Sequence, residues 1–416
     1  MTAETRQEAM ERLQLLIEKD PRNFTALRML GAIYLEEGKA QEARECLEKA
    51  LAVSPQDPTA QYLLGVALGA GGHPQEAVAT WRRLIRRYPR HVGAHYMLGK
   101  TYGARGMGDM GLHHLRQALK ALEKAAAVRE DLPVSPAQIH QAMAEIYLLQ
   151  GRRQEAIASW QRVAGGLPED PSPWINIGAA YLALGKREEA ARSLEEAARR
   201  GASGPLFHQN RGLVALALGK PAEAEAALRQ ACREDPSNPM PFLHLANALA
   251  LQGREEEAKE AWQQALSLDP RNQDALFNLA VYYARRQAWE KAFSLWEEIR
   301  RQNPHQPLAW AHPVELHLQR GDFPAALTLS QAWTAQVPEE GLAWYYLGLA
   351  SVAAGEEDQG KRAWQRLQAL LPRDAGTRFL YHLLQDSPAA EEVRPPSPGA
   401  QAVWDHVLQR RGLKLG

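Results

Sequence analysis

Cysteine is nearly absent: Cys46 and Cys232 are the only two in 416 residues, far apart and in no CxxC spacing. That excludes a thiolate zinc site and fits a reducing compartment. Net charge is absent too, since 49 basic residues face 49 acidic ones; nothing global draws the chain to nucleic acid or an anionic membrane. No stretch approaches the ~18 apolar residues of a membrane span, and the N-terminal MTAETRQEAMERLQLLIEKD lacks the apolar core of a signal peptide. A soluble, cytoplasmic protein without membrane insertion is expected. Walker, GxSxG and HExxH motifs are missing, and GARGMGDMG (103–111) lies between helical segments, with no strand to aim its amides at a phosphate. Among 13 histidines, the closest groups are His113 with His114 and His312 with His317, and neither has the i, i+4 spacing that puts two imidazoles on one helical face. The chain is therefore expected to be no enzyme and to need no cofactor and no metal.

What the sequence has is a beat. Proline recurs at Pro21, Pro55 and Pro89, at Pro168, and at Pro236, Pro270, Pro304, Pro338 and Pro372, nearly always at 34 residues or a multiple. Such a period marks one helix–turn–helix unit copied many times, each copy needing a neighbour to bury its apolar face. In the unit from Phe24 to Asp57, Leu27, Leu30, Gly31 and Tyr34 keep the rhythm of a first helix. Gly38 ends that helix, Ala43, Leu47 and Ala50 repeat the rhythm in a second, and Pro55 stops it.

This pattern closely resembles the tetratricopeptide repeat family, and ten repeats align over nearly the whole chain. The family's small eighth residue is found at Gly31, Gly65, Gly99 and Gly178 among others, and its twentieth-position alanine at Ala43, Ala77, Ala156 and Ala190 among others. The tryptophans at the twenty-fourth position, Trp81, Trp160, Trp262, Trp296 and Trp364, read as packing residues. The resemblance implies an all-α, right-handed superhelical solenoid of stacked helical pairs. Its expected parts are an N-terminal capping helix or half repeat (1–23), repeats one to three with a lengthened helix (24–136), and repeats four to ten (137–373). A capping helix (374–385), a proline-rich linker (386–400) and a short amphipathic tail helix (401–416) follow. That tail carries Val403, Trp404, Val407 and Leu408 at helical spacing, and it caps the solenoid, docks on its own chain or contacts a partner.

The beat is broken in three places. Pro89 and Pro168 lie 79 residues apart, eleven more than two periods, and the surplus falls between Ala121 and Pro136. Just before it, the glycines of 103–111 predict the loosest turn of the array and a hinge. Arg211 and Pro313 occupy the seventh position, where other repeats carry Leu30, Leu64, Leu98, Ile177, Leu245, Leu279 or Leu347. A buried arginine needs polar partners and a helical proline removes a hydrogen bond, so each reads either as tolerated or as a functional deformation.

In the resembling family the first helix of each repeat lines a concave groove. Its ligand-facing positions here are mostly apolar: Tyr62, Tyr96, Ile175, Leu206, Leu213, Leu243, Phe277, Leu308 and Tyr345. Lys100 and Arg28 do not compose the family's carboxylate clamp. The sixth position carries Asn176, Asn210, His244, Asn278 and His312 at intervals of 34, with Tyr346 next. Such a ladder either holds the backbone of a bound peptide or bonds the neighbouring repeat. The expected function is a scaffold or adaptor that binds a peptide or helix of a protein partner in the groove after Pro136. The alternative is a non-catalytic subunit of a larger enzyme or envelope-associated complex that uses its convex face. A nucleic-acid role for the basic run Trp81–His91 is weaker, and homo-oligomerisation stays open.

Overall fold

The computed structural model describes residues 3–126, 134–372, 374–384 and 395–410. All 23 elements among them are α-helices. They form two compact units, Met1–Gly219 and Lys220–Gly416. The first contains α1 (Ala3–Lys19), α2 (Phe24–Glu36), α3 (Ala40–Val53), α4 (Pro58–Ala70), α5 (Pro74–Arg87) and α6 (Val92–Ala104), then α7 (Gly108–Ala126), α8 (Pro136–Leu149), α9 (Arg153–Gly166), α10 (Ser172–Ala183), α11 (Arg187–Arg199) and α12 (Pro205–Ala217). The second contains α13 (Pro221–Glu234), α14 (Pro239–Leu251), α15 (Glu255–Leu268), α16 (Gln273–Arg285), α17 (Trp289–Gln302) and α18 (Pro307–Gln319), then α19 (Phe323–Gln336), α20 (Gly341–Ala354), α21 (Glu357–Leu370), α22 (Ala375–Leu384) and α23 (Pro398–Arg410).

The proline beat acts through the residue before it. Pyrrolidine sterics push that residue out of the helical region, and Ser54, Asp269 and Asn303 all sit near φ −130 to −142 as their helices end. First helices end differently, on glycines at positive φ such as Gly38 and Gly72, whose lack of a Cβ makes that conformation cheap. In α16 the same place is taken by Gln287 at φ 60, the one non-glycine residue with positive φ among the described residues. Entry is prepared too: Asn23, Asp57, His91 and Asn272 accept from the amide three residues on.

Within each unit consecutive helices pack as antiparallel hairpins, and first helices also meet one another: α2 with α4, α4 with α6, α6 with α8 and α10 with α12 in the first unit, α18 with α20 in the second. The eighth and twenty-fourth positions explain the closeness. A Cβ on Gly65 would lie 2.1 Å from the Trp81 indole, and Trp81, 1% exposed, donates from Nε1 to the Tyr62 carbonyl. Trp160, Trp262 and Trp296 are likewise buried, while Trp364 keeps part of its surface. The tryptophan stripe is core.

Helix α7 runs for 19 residues against 14 in α5, and the rest of the insertion, 127–133, lies outside the described residues. So does most of the expected linker, 386–394. Within the glycine-rich segment two glycines are tightly packed: Cβ atoms on Gly103 and Gly111 would come within 2.6 Å and 2.9 Å of the Ile146 side chain of α8. These glycines let three helices converge, so looseness does not follow from them. Beside them His95 and His114 form a neutral pair. The Pro89 carbonyl can only accept from His95 Nε2 (3.0 Å), so His95 Nδ1 accepts from His114 Nδ1 at 3.1 Å. Burial, with His95, His113 and Arg82 adding like charge, pushes the His114 pKa down to about 4. No group of three or more His, Cys, Asp or Glu that could hold a metal occurs among the described residues.

Both seventh-position anomalies now have explanations. Arg211 is exposed rather than buried, its guanidinium 5.7 Å from the Phe207 ring centre, so it needs no buried partner. Pro313 is buried inside α18 and has no N–H for the Ala309 carbonyl. Arg300 of α17 supplies the missing donor, Nη1 to Ala309 O at 2.9 Å, while its guanidinium lies 5.1 Å from the Trp310 ring centre.

Candidate first-helix cleft

In the first unit α6, α8 and α10 frame an open cleft of roughly 290 Å³. Tyr96 and Lys100 enter from α6, Gln138, Gln141 and Glu145 from α8, and Asn176 from α10, with Asp170 at the rim. Each side chain arrives because the repeat register puts positions two, five, six and nine of a first helix on one face. Several are already oriented. Gln141 accepts from Trp160 Nε1 at 3.1 Å and donates to Glu145 at 2.9 Å. Gln138 and Ser135 close a capping box, at 2.8 and 3.2 Å, that starts α8. The Lys100 ammonium stands 5.6 Å from the Tyr96 ring centre.

Two of the residues expected from sequence, Tyr96 and Asn176, thus share one site. The Asn176 amide is half-buried and, among the described residues, has no hydrogen-bond partner. Tyr62 is half-buried against the next repeat, its ring 5.4 Å from His91 and a Cβ on Gly93 only 2.8 Å from it. Asn210 is buried, 6% exposed.

In the second unit most of the expected positions are engaged in packing, while Leu308 is 47% exposed. Asn278 donates to Asn247 Oδ1 at 3.0 Å, and the same oxygen accepts from Trp262 at 3.1 Å, so this rung ties one repeat to the next. His312 stacks on Trp296 at 6.0 Å and meets Phe277 edge-on at 5.1 Å. His244 is half-buried, and burial lowers its pKa, which favours the neutral ring. Leu243, Tyr345 and Tyr346 are 2%, 6% and 8% exposed. These three are core residues: Tyr345 and Tyr346 lie in one apolar cluster with Ala400, Val403 and Val407 of α23, which covers them. Gln138, Gln141 and Glu145 are polar and fall outside the mostly apolar set expected from sequence, and Lys100 enters that expectation only as no part of a carboxylate clamp. Their register positions are the signal that finds them.

Family models described as "Tetratricopeptide repeat" match residues 175–239, 243–307 and 314–375, and another residues 59–91; one described as "TPR repeat" matches 31–72. No curated protein matches the chain. Among solved structures, YrrB, titled a TPR protein with an unusual peptide-binding site, is 22% identical, the match covering 42% of this chain and 89% of that one, with a TM-score of 0.36. MamA from Desulfovibrio magneticus RS-1, residues 41 to the end, is 20% identical, covering 42% and 98%, with a TM-score of 0.38. A further MamA structure is 16% identical, covering 39% and 95%, with a TM-score of 0.36.

Proposed function

Because the chain belongs to the tetratricopeptide repeat family, whose models together match more than half of it, we propose that it is a non-catalytic protein-interaction scaffold holding a partner's peptide segment in the cleft of α6, α8 and α10. The observation that carries this reading is the Asn176 amide, unpartnered among the described residues, beside groups already oriented by other contacts. An amide offers both a donor and an acceptor, the pair an extended peptide backbone presents in reverse. Lys100 on one wall and Glu145 with Asp170 on the other favour a segment carrying both signs of charge. The proposed site thus lies at repeats three to five, overlapping the region expected after Pro136 at α8 and α10 and taking in Tyr96 of α6. No helix among the described residues is long and apolar enough to cross a membrane.

The test is a peptide library panned on the full chain, followed by titration of the selected peptides. Lys100→Ala, Glu145→Ala and Asn176→Ala together are expected to weaken binding at least about tenfold, the loss of roughly 1.4 kcal/mol, with helical content unchanged. Asn278→Ala is expected to lower stability and leave binding intact. Equal affinity for the triple variant and the native chain contradicts the assignment.

A further inference from the structure

Helix α23 is not the cap of the last repeat. That task belongs to α22, whose Phe379, Leu380 and Leu383 are at most 1% exposed and which packs on α20 and α21. Instead α23 lies against α18 and α20, the first helices of repeats nine and ten, and it touches the register positions that line the open cleft of the first unit. Tyr345 holds position five, Tyr346 position six and Glu315 position nine, the same position as Glu145.

The fit is specific at both ends and along the stripe. Glu315 accepts from the Ser397 hydroxyl at 3.0 Å and from the Gly399 amide, and Ser397 in turn accepts from the Ala400 amide at 3.1 Å. A carboxylate thus sits where the helix leaves N–H groups unpaired and its dipole is positive. A Cβ on Gly399 would lie 2.7 Å from the Glu315 carboxylate, so a larger residue there displaces that carboxylate from its present place. Along the face Ala400, Val403 and Val407 are 0%, 0% and 5% exposed, Trp404 lies 5.8 Å from Phe379 and His406 4.4 Å from Phe323. At the far end Arg410 reaches the Val352 carbonyl in the last turn of α20 at 3.4 Å.

We propose that the face of α18 and α20 is a docking site for an amphipathic helix of a partner protein, and that α23 is its built-in occupant. The partner helix carries a small residue and two valine-sized residues at the spacing of Ala400, Val403 and Val407, begins with a glycine and uncapped amides over Glu315, and displaces α23 to bind. This surface is separate from the cleft of α6, α8 and α10, and its test is independent of that reading.

A fluorescent peptide of residues 395–410 stands in for the partner helix and is titrated against the full chain. In Val403→Glu a buried charge expels α23, and the emptied face is expected to bind the peptide. The native chain is expected to bind it at least about tenfold more weakly, since a tethered competitor acts at roughly millimolar effective concentration. Adding Glu315→Gln to the variant is expected to weaken binding several-fold, and a peptide carrying Val403→Glu is expected to bind neither chain. Circular dichroism and thermal melting check the fold; should Val403→Glu fail to fold, Gly399→Leu collides with Glu315 at the helix end and leaves the core side chains unchanged. A folded variant that does not bind the peptide, or equal binding to both chains, overturns the proposal. So does a native dimer in sedimentation that Val403→Glu dissolves, which would make α23 an exchange between copies.

Discussion

The first-helix positions of repeats three to five and of repeats nine and ten share one register and differ in what meets them. In the first unit they carry Tyr96, Gln141, Asn176 and Glu145 around an open cleft; in the second they carry Tyr345, Tyr346 and Glu315 beneath α23. Polarity follows cover. The covered face has aromatics whose hydroxyl pKa values burial drives up, while the open one has amides and charges that water or a ligand can satisfy. A repeat position therefore does not define a binding residue until its neighbours beyond the repeat are known.

The contrast breaks most severely at Gly103. Gly103→Val thrusts a branched side chain into Ile146, forces α6 from α8 and is expected to cost about 2–3 kcal/mol, read as a lower midpoint in urea, along with peptide binding at the cleft. An unchanged midpoint would mean that the walls of the cleft do not depend on this approach.

The frame of the covered face is probed next through Arg300 and Pro313. Arg300→Met orphans the Ala309 carbonyl and is expected to cost about 1–3 kcal/mol. In a Pro313→Leu background, where residue 313 again donates to that carbonyl, the cost should fall close to zero. Equal costs in both backgrounds would deny the coupling.

A smaller effect depends on pH. His114 titrates near 6.5 unfolded and about 4 folded, so its contribution is full above pH 6.5 and is lost as the pH falls toward 4. Its ring is only half-buried, which limits the contribution to on the order of 1 kcal/mol. His114→Asn should flatten that part of the stability curve of the full chain. The smallest change expected is at Gln287, where Gln287→Gly relieves a left-handed residue and should stabilise the second unit by roughly 0.5–1 kcal/mol.

Much of this was legible in the sequence because it is periodic. The prolines, the glycines that end first helices, the small eighth residues and the tryptophans each repeat a local constraint, and the helices obey them. What was not legible is where the chain leaves its period. Nothing at Leu243 or Tyr345 announces burial, since the same position is partly open at Tyr96, and the helix that covers Tyr345 starts 53 residues later in the chain. The partner of the Ala309 carbonyl escaped for a similar reason, because proline shows which bond is lost and not who replaces it. Asn278 looked like a rung for a ligand until Asn247 and Trp262 were seen to use it.

Amide hydrogen exchange on the full chain, native against Val403→Glu, reads the contrast directly. If α23 covers the face of repeats nine and ten, amides of α18 and α20 exchange faster in the variant while those of α6, α8 and α10 keep their native rates. Equal protection of α18 and α20 in the two proteins would contradict the account.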